Sequence, residues 1–282
     1  MSEPKLTPRY GIIGWPVAHS RSPLIHNYWL AEQGCEAAYE TVPIDPQLDF
    51  RAALEDMAQN GFAGANVTIP HKENAFAAMD SLSETARRLG AVNTISFAEG
   101  RLSGHNTDGG GFVAGLDAFG TDWRQQPVAL VGAGGAARAI VAALADAGAR
   151  DIRLSNRNRA RAESLVALAG AGSRVTIYDW DARQDMLTGA GLLVNTTSLG
   201  MKGQPALDIE LNGLTAAALV SDIVYTPLET PLLAAARQSG LRAVDGLGML
   251  LHQAALAFEV WFGVRPEVTD RLRQLVLADL EE

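Results

Sequence analysis

The chain has 282 residues, 48% apolar and 20% charged, with 23 Lys and Arg against 32 Asp and Glu and a net charge of −9. This composition excludes a disordered chain, and at ~150 residues per domain the length suggests two domains. The acidic balance argues against a nucleic-acid partner, and the single cysteine, Cys35, excludes an internal disulfide and a thiolate metal site.

No apolar run reaches the ~20 residues that span a bilayer. Glu3, Pro4 and Pro8 precede the first apolar stretch, unlike a signal peptide. The expectation is a soluble, cytoplasmic protein with no membrane partner.

Strand and helix signals alternate along the chain. Tyr10 to Ile13 reads as a strand closed by Gly14 and Pro16, and Ser22-Pro23 opens a helix to about Gln33. A strand at Tyr39 to Ile44, a helix from Pro46 to Asn60 and a buried strand at Ala63 to Ile69 follow, then Pro70 and another helix. Asn93 to Phe97 and Arg101 to His105 read as a hairpin around Glu99-Gly100. Gly110 to Gln126 has helical period and predicts a helical connection. A second unit follows, with strands at Val128 to Val131, Asp151 to Ser155, Val175 to Tyr178, Gly191 to Val194, Ala218 to Val224 and Leu241 to Val244. Helices are predicted at Gly135 to Ala147, at Ala160 to Ala169 and from Leu247 to the end. Strands spaced by helices imply parallel βαβ units.

The first strand of the second unit runs into a glycine turn, Gly132-Ala133-Gly134-Gly135-Ala136. Gly132 permits a tight turn, Gly134 removes a Cβ that would block a pyrophosphate, and the helix start offers free N–H groups. Strand, turn and helix stand in the order a dinucleotide site needs. An NAD site wants a carboxylate at the end of the next strand. Here Asn156-Arg157-Asn158-Arg159-Ala160-Arg161 supplies arginines and no acid. Guanidinium groups suit a 2′-phosphate, so the expected cofactor is NADP.

Three polar segments stand out in the first unit: Ser20-Arg21-Ser22-Pro23, Asn66-Val67-Thr68-Ile69-Pro70-His71-Lys72 and Asn106-Thr107-Asp108-Gly109. Taken singly they read as a helix cap, a strand-end turn and a turn aspartate. Together, beside a cofactor unit, they place a lysine and a carboxylate where a proton could move as a cofactor moves a hydride. The five histidines show no ligand spacing, so no metal is expected.

These segments resemble the shikimate dehydrogenase family over nearly the whole chain. The resemblance rests on them and on Gly90-Ala91-Val92-Asn93-Thr94, the glycine turn, Asn156-Arg157, Asn195-Thr196-Thr197-Ser198-Leu199-Gly200-Met201, Asp222-Ile223-Val224-Tyr225 and Asp245-Gly246-Leu247-Gly248-Met249-Leu250 with Gln253. It implies two α/β domains with the active-site cleft between them. Residues 1–109, completed by 247–282, would form a substrate domain with a mostly parallel sheet, and 110–246 a Rossmann NADP-binding domain. It implies NADPH-dependent reduction of 3-dehydroshikimate to shikimate by a monomer or homodimer. Lys72 and Asp108 would be the catalytic pair, and Ser20, Ser22 and Tyr225 would hold the substrate carboxylate. Asn66, Thr68, Asn93 and Gln253 would serve the ring hydroxyls. Gly132 to Ala136, Asn156, Arg157 and Arg161 would hold the cofactor, with Thr197, Ser198, Met201, Gly246 and Met249 on its nicotinamide side. Asn158 stands where the family usually has threonine. The rival readings are a quinate/shikimate dehydrogenase of broader specificity, a non-catalytic NADPH-binding regulator, and a folate- or tRNA-linked dehydrogenase of similar layout.

Overall fold

The computed structural model describes residues 7–119 and 123–281. Glu3, Pro4 and a short stretch of the predicted helical connection, 120–122, lie outside the described residues. The chain divides into two units, Met1–Thr107 with Gln253–Glu282, and Asp108–His252.

The first unit is built on a six-stranded sheet of β1 (Arg9–Gly14), β2 (Ala38–Pro43), β3 (Phe62–Val67), β4 (Ser81–Leu82), β5 (Thr94–Ala98) and β6 (Arg101–His105), in the order β2-β1-β3-β5-β6-β4. β1 pairs parallel with β2 and β3, and β4 with β6, while β5 is antiparallel to both neighbours. The hairpin turn forms at Glu99 and Gly100, both in the left-handed region at φ 53° and 72°. Helix α1 (Ser22–Glu32) starts with Pro23 in its first turn. Helix α2 (Phe50–Gln59) begins later than predicted. Asp45 Oδ1 accepts from the Gln47 N–H, which closes a turn, and the Asp49 side chain caps the helix by accepting from the Ala52 N–H. Lys72 opens α3 (Lys72–Ala78), and α4 (Glu84–Leu89), with β4 before it, was not predicted.

The core beneath this sheet holds Ile13, Leu54, Ala65, Val67, Ala75, Ala86, Val92 and Ile95. The end of the chain completes the unit. Trp261 of α9 (Leu247–Phe262) lies flat on Gly64, where any side chain would strike the indole, and donates Nε1–H to the Ile95 carbonyl at 2.9 Å. Helix α10 (Asp270–Glu281) follows a break at Gly263, φ 71°, where one continuous helix was expected. Its Asp279 pairs with Arg21.

The second unit is an all-parallel sheet of β7 (Val128–Val131), β8 (Asp151–Ser155), β9 (Arg174–Tyr178), β10 (Leu192–Asn195), β11 (Leu219–Asp222) and β12 (Arg242–Val244). Its order is β12-β11-β10-β7-β8-β9. Counted from β7, this is the 3-2-1-4-5-6 order of dinucleotide-binding sheets, with its switch point between β7 and β10. Every β7 residue is fully buried, as a central strand covered on both faces requires. The expected helical connection is α5 (Asp108–Asp117) with a short 3₁₀ turn at Trp123–Gln125. Helices α6 (Gly135–Asp146), α7 (Arg159–Glu163) and α8 (Pro231–Gln238) complete the unit. The helix predicted over Ala160 to Ala169 is broken. The Ser164 hydroxyl donates back to the Arg161 carbonyl at 2.7 Å, and a 3₁₀ turn, Val166–Ala169, follows.

Candidate functional site

β7 ends against a glycine that no other residue could replace without strain. Gly132 has φ 111°, and a Cβ there would lie 2.5 Å from Thr196 Oγ1 and 2.9 Å from Thr197 Cγ2. The loop after β10 therefore lies directly on the turn after β7, at the switch point. Gly134 and Gly135 face the opposite situation: a Cβ on either would meet nothing within 4 Å. That open space at the start of α6, where free backbone N–H groups point outward, fits a pyrophosphate. Ala137, two residues further into the helix, is fully buried.

The end of β8 decides which dinucleotide fits. Arg159 is already neutralised, by Glu163 at 2.9 Å and Asp179 at 2.6 Å. Arg157 and Arg161 are exposed, and no ion pair or side-chain hydrogen bond holds them among the described residues. Asn158 caps α7, its Oδ1 accepting from the Arg161 N–H at 3.2 Å, and Asn156 donates to the Asn158 carbonyl at 2.8 Å. Two exposed guanidinium groups without a partner among the described residues suit a phosphate.

Beyond β10 and β11 the polar groups are tied together. Asn195 Oδ1 accepts from the Thr197 N–H at 3.0 Å and its hydroxyl at 2.7 Å. Its Nδ2 donates to the Leu199 carbonyl and to Asp222 Oδ1, each at 3.0 Å. Asp222 also accepts from the Val224 N–H at 3.0 Å and the Thr230 hydroxyl at 2.8 Å. Burial pushes the Asp222 carboxyl above the usual carboxylate range, and these three donors oppose the rise. Ser198 and Met201 are exposed on the same loop, and Tyr225 is half-buried just past Asp222. Gly246 packs so closely on the Ile223 and Val224 backbone that a Cβ would collide, and Met249 stands in the first turn of α9 near Gly115.

In the first unit Ser22 is buried at the start of α1, and its N–H donates to Ser20 Oγ at 3.3 Å. Arg21, between them, is engaged elsewhere, with the His19 carbonyl and Asp279 of α10. Asn66, on β3, accepts from the Tyr39 hydroxyl at 2.7 Å and donates to the Asn93 carbonyl and Thr94 Oγ1. Asn93 in turn accepts from the Thr107 N–H at 2.8 Å and donates to Thr107 Oγ1 at 2.9 Å. Asn66, Asn93 and Thr107 are thus one buried chain, and Asp108 is the next residue after its last link. Thr68 and Lys72 are half-buried past the end of β3. The Lys72 carbonyl accepts from the Val92 N–H at 3.0 Å, and His71 Nε2 bonds the Ile44 carbonyl at 2.7 Å. His71 is thereby a structural anchor for the lysine beside it. Gln253 stands on α9 and belongs to the same unit as Asn66 and Lys72. Among the described residues no cluster of three or more His, Cys, Asp or Glu could hold a metal ion. No helix among them is long and apolar enough to cross a membrane.

Comparison with known proteins agrees with this arrangement. Family models match along the chain: the shikimate dehydrogenase substrate binding domain at residues 12–95, shikimate/quinate 5-dehydrogenase at 115–200, and the shikimate 5′-dehydrogenase C-terminal domain at 246–277. The chain is 54% identical over 277 residues to the shikimate dehydrogenase (NADP(+)) of Methylocella silvestris, covering 98% of both chains. It belongs to the shikimate dehydrogenase family. Among solved structures it resembles the shikimate 5-dehydrogenase of Thermus thermophilus in complex with NADP(H) and shikimate, at TM-score 0.85 and 36% identity over 96% of this chain and 99% of that one. It also resembles the quinate dehydrogenase of Corynebacterium glutamicum in complex with NAD, at TM-score 0.90 and 32% identity, over 96% and 99%.

For a shikimate dehydrogenase family member the unpaired arginines make a direct prediction. A charge-assisted contact is worth roughly 1.5–3 kcal/mol, so Arg157→Ala should raise the KM for NADP by about tenfold or more and leave that for NAD nearly unchanged. Equal loss with both cofactors would make Arg157 structural. Sequence reasoning missed Tyr39 and Thr230, and gave no task to Thr94, Thr107, Asn195 or Asp222. The available signal was a polar residue closing an apolar strand, as in Leu192-Leu193-Val194-Asn195 and Leu219-Val220-Ser221-Asp222.

Proposed function

We infer that this chain is an NADP-dependent shikimate dehydrogenase, reversibly reducing 3-dehydroshikimate to shikimate on the route to aromatic amino acids. The observation that carries this reading is the match, over 98% of both chains, to an NADP(+) shikimate dehydrogenase in a chain whose phosphate turn is open and whose Arg157 and Arg161 are unpaired among the described residues.

NADPH, when bound, supplies a hydride to the C3 carbonyl carbon of the substrate. The protein's task is to hold the ring and deliver a proton to the carbonyl oxygen, which becomes the hydroxyl. We assign the proton to Lys72 and Asp108. The lysine is held by its anchored backbone, and the aspartate follows the fixed Thr107. A cation at the first position of a helix is unfavourable for stability, which supports a chemical reason for Lys72. Ser20, Ser22 and Tyr225 hold the substrate carboxylate through neutral hydroxyls, while Arg21 is committed to Asp279. Asn66, Thr68, Asn93 and Gln253 serve the ring hydroxyls, with Asn66 and Asn93 pre-set by the buried chain. Gly132 to Ala136 cradle the pyrophosphate, Asn156, Arg157 and Arg161 take the adenosine ribose and its phosphate, and Thr197, Ser198, Met201, Gly246 and Met249 line the nicotinamide side. The enzyme acts as a monomer or homodimer, and it works in the cytoplasm, where a lone free cysteine stays reduced.

The second reading, a broader quinate/shikimate dehydrogenase, is favoured by the likeness to the quinate dehydrogenase structure. Rates of NADP reduction with shikimate and quinate, measured side by side, separate the two. Shikimate should be oxidised much faster. Comparable rates would establish the broader enzyme, and no turnover with either would point to a regulator.

A further inference from the structure

Asn195, Asp222 and Thr230 are each fully buried, and every polar atom of the first two is hydrogen-bonded. This rod of polar groups runs across three consecutive pieces of the second unit. Asn195 shapes the loop that carries Thr197, Ser198 and Met201. Its amide bonds both ends of the Thr197–Leu199 turn, and the Leu199 N–H donates to Thr197 Oγ1 at 3.0 Å. Asp222 shapes the segment that carries Tyr225, through the Val224 N–H. Thr230 caps α8 by accepting from the Leu233 N–H, and its own hydroxyl proton goes to Asp222 Oδ2. Backbone bonds reinforce the tie, from the Ile223 N–H to the Asn195 carbonyl at 3.1 Å and from the Lys202 N–H to the Thr226 carbonyl at 3.1 Å.

A buried carboxylate is a costly way to hold two loops, because a neutral apolar pair would serve stability as well or better. What the carboxylate adds is direction: three donors from three segments converge on two oxygens at fixed angles. The loop beyond Asn195 also lies against Gly132, whose own N–H is held separately by the Ser155 carbonyl at 2.9 Å.

We propose that Asp222 is a positioning residue for hydride transfer, locking the loop of Thr197 to Met201 and the segment of Tyr225 into one rigid piece through Asn195 and Thr230. The proposal rests on the assignment of those residues to the nicotinamide side and the substrate carboxylate. Loosening the lock leaves the adenosine end of the cofactor, held by Arg157 and Arg161, as it was. It widens the spread of distances between the reacting carbons, so the chemical step slows while ground-state affinity for the adenosine end does not change.

The test compares wild type, Asp222→Ala and Asp222→Asn, with folded sites counted by titration with 2′,5′-ADP. Wild-type turnover of shikimate with NADP is measured first, and its absence would sink the underlying assignment rather than the lock. Asp222→Ala should lower kcat per folded site about 10- to 100-fold at unchanged 2′,5′-ADP affinity. It should also raise the primary isotope effect seen with NADPH deuterated at the transferred hydrogen. Asp222→Asn keeps an acceptor for Asn195 and Val224 and can donate to Thr230, so it should recover most of the lost kcat. If Asp222→Ala does not fold, Thr230→Val against Thr230→Ser makes the same comparison at the hydroxyl that caps α8 and bonds Asp222, with a several-fold loss for valine and none for serine. An unchanged kcat per folded site and an unchanged isotope effect in Asp222→Ala, or in Thr230→Val where it stands in, would overturn the proposal. So would a loss that follows 2′,5′-ADP affinity.

Discussion

Lys72→Ala and Asp108→Asn should each lower kcat by roughly 10²–10⁴, the range of a lost proton-transfer group, with little change in the KM for NADP. The cofactor term should be insensitive because the phosphate turn and the two unpaired arginines belong to the other unit from Lys72. The backbone around Lys72 is held by groups other than its own side chain, namely the Val92 N–H on its carbonyl and the buried His71 before it. Truncation to alanine therefore removes the ammonium without moving α3. The double variant should be barely slower than either single one, since two residues that serve one proton act as a unit. A Lys72→Ala enzyme with near-normal kcat and a greatly raised KM for shikimate would show that the lysine only orients the ring.

A second large effect is expected in acid, from His26. Its ring is 1% exposed and stacked on Tyr39 at 4.3 Å and 7° between planes, with Trp29, Phe258 and Trp261 around it. Neither ring nitrogen has a hydrogen-bond partner among the described residues. Burial drives its pKa down to about 3, and the neighbouring Asn66 side chain offsets only part of that fall. The unfolded chain, with an imidazole near 6.5, binds the proton more readily, so the neutral ring stabilises the fold fully above pH ~6.5. That stability is lost as the pH falls through the window from ~6.5 to ~3, at about 1.4 kcal/mol per unit and about 4–5 kcal/mol in all. His26→Phe keeps an aromatic ring on Tyr39 and removes the titration. Its unfolding free energy in urea should fall less between pH 6.5 and 4.5 than that of the wild type, by roughly 2–3 kcal/mol. Parallel losses in the two proteins would mean that another group controls the acid limb.

Most of the second sheet was legible because its strands are short apolar runs between turn residues, and their ends fall within two residues of those read from sequence. β4 and α4 escaped because two residues and six residues are too short to show a period. The break between α9 and α10 was signalled by Gly263 and Pro266, yet apolar residues on both sides masked it. At the site, the arginines after β8 could be read as a set, but not that Glu163 and Asp179 would occupy Arg159 and leave the other two. The polar chains were out of reach for a topological reason. Asn66 meets Thr94, and Asn195 meets Asp222, only because β3 lies beside β5 and β10 beside β11. Local spacing carries no record of which strands become neighbours.

The seat of Trp261 on Gly64 sets an order of events at the ribosome. Strands β1 to β6 emerge first, yet the surface of β3 at Gly64 waits for an indole that is made only after the whole second unit. In the meantime the whole of Asp108–His252 is synthesised and can close its own sheet. A nascent or truncated chain ending just past His252 therefore carries a complete dinucleotide unit joined to a sheet with its Tyr10 and Gly64 face bare. Such chains are the ones that chaperones must shelter, and stop codons that fall before Trp261 should yield aggregates rather than half-active enzyme.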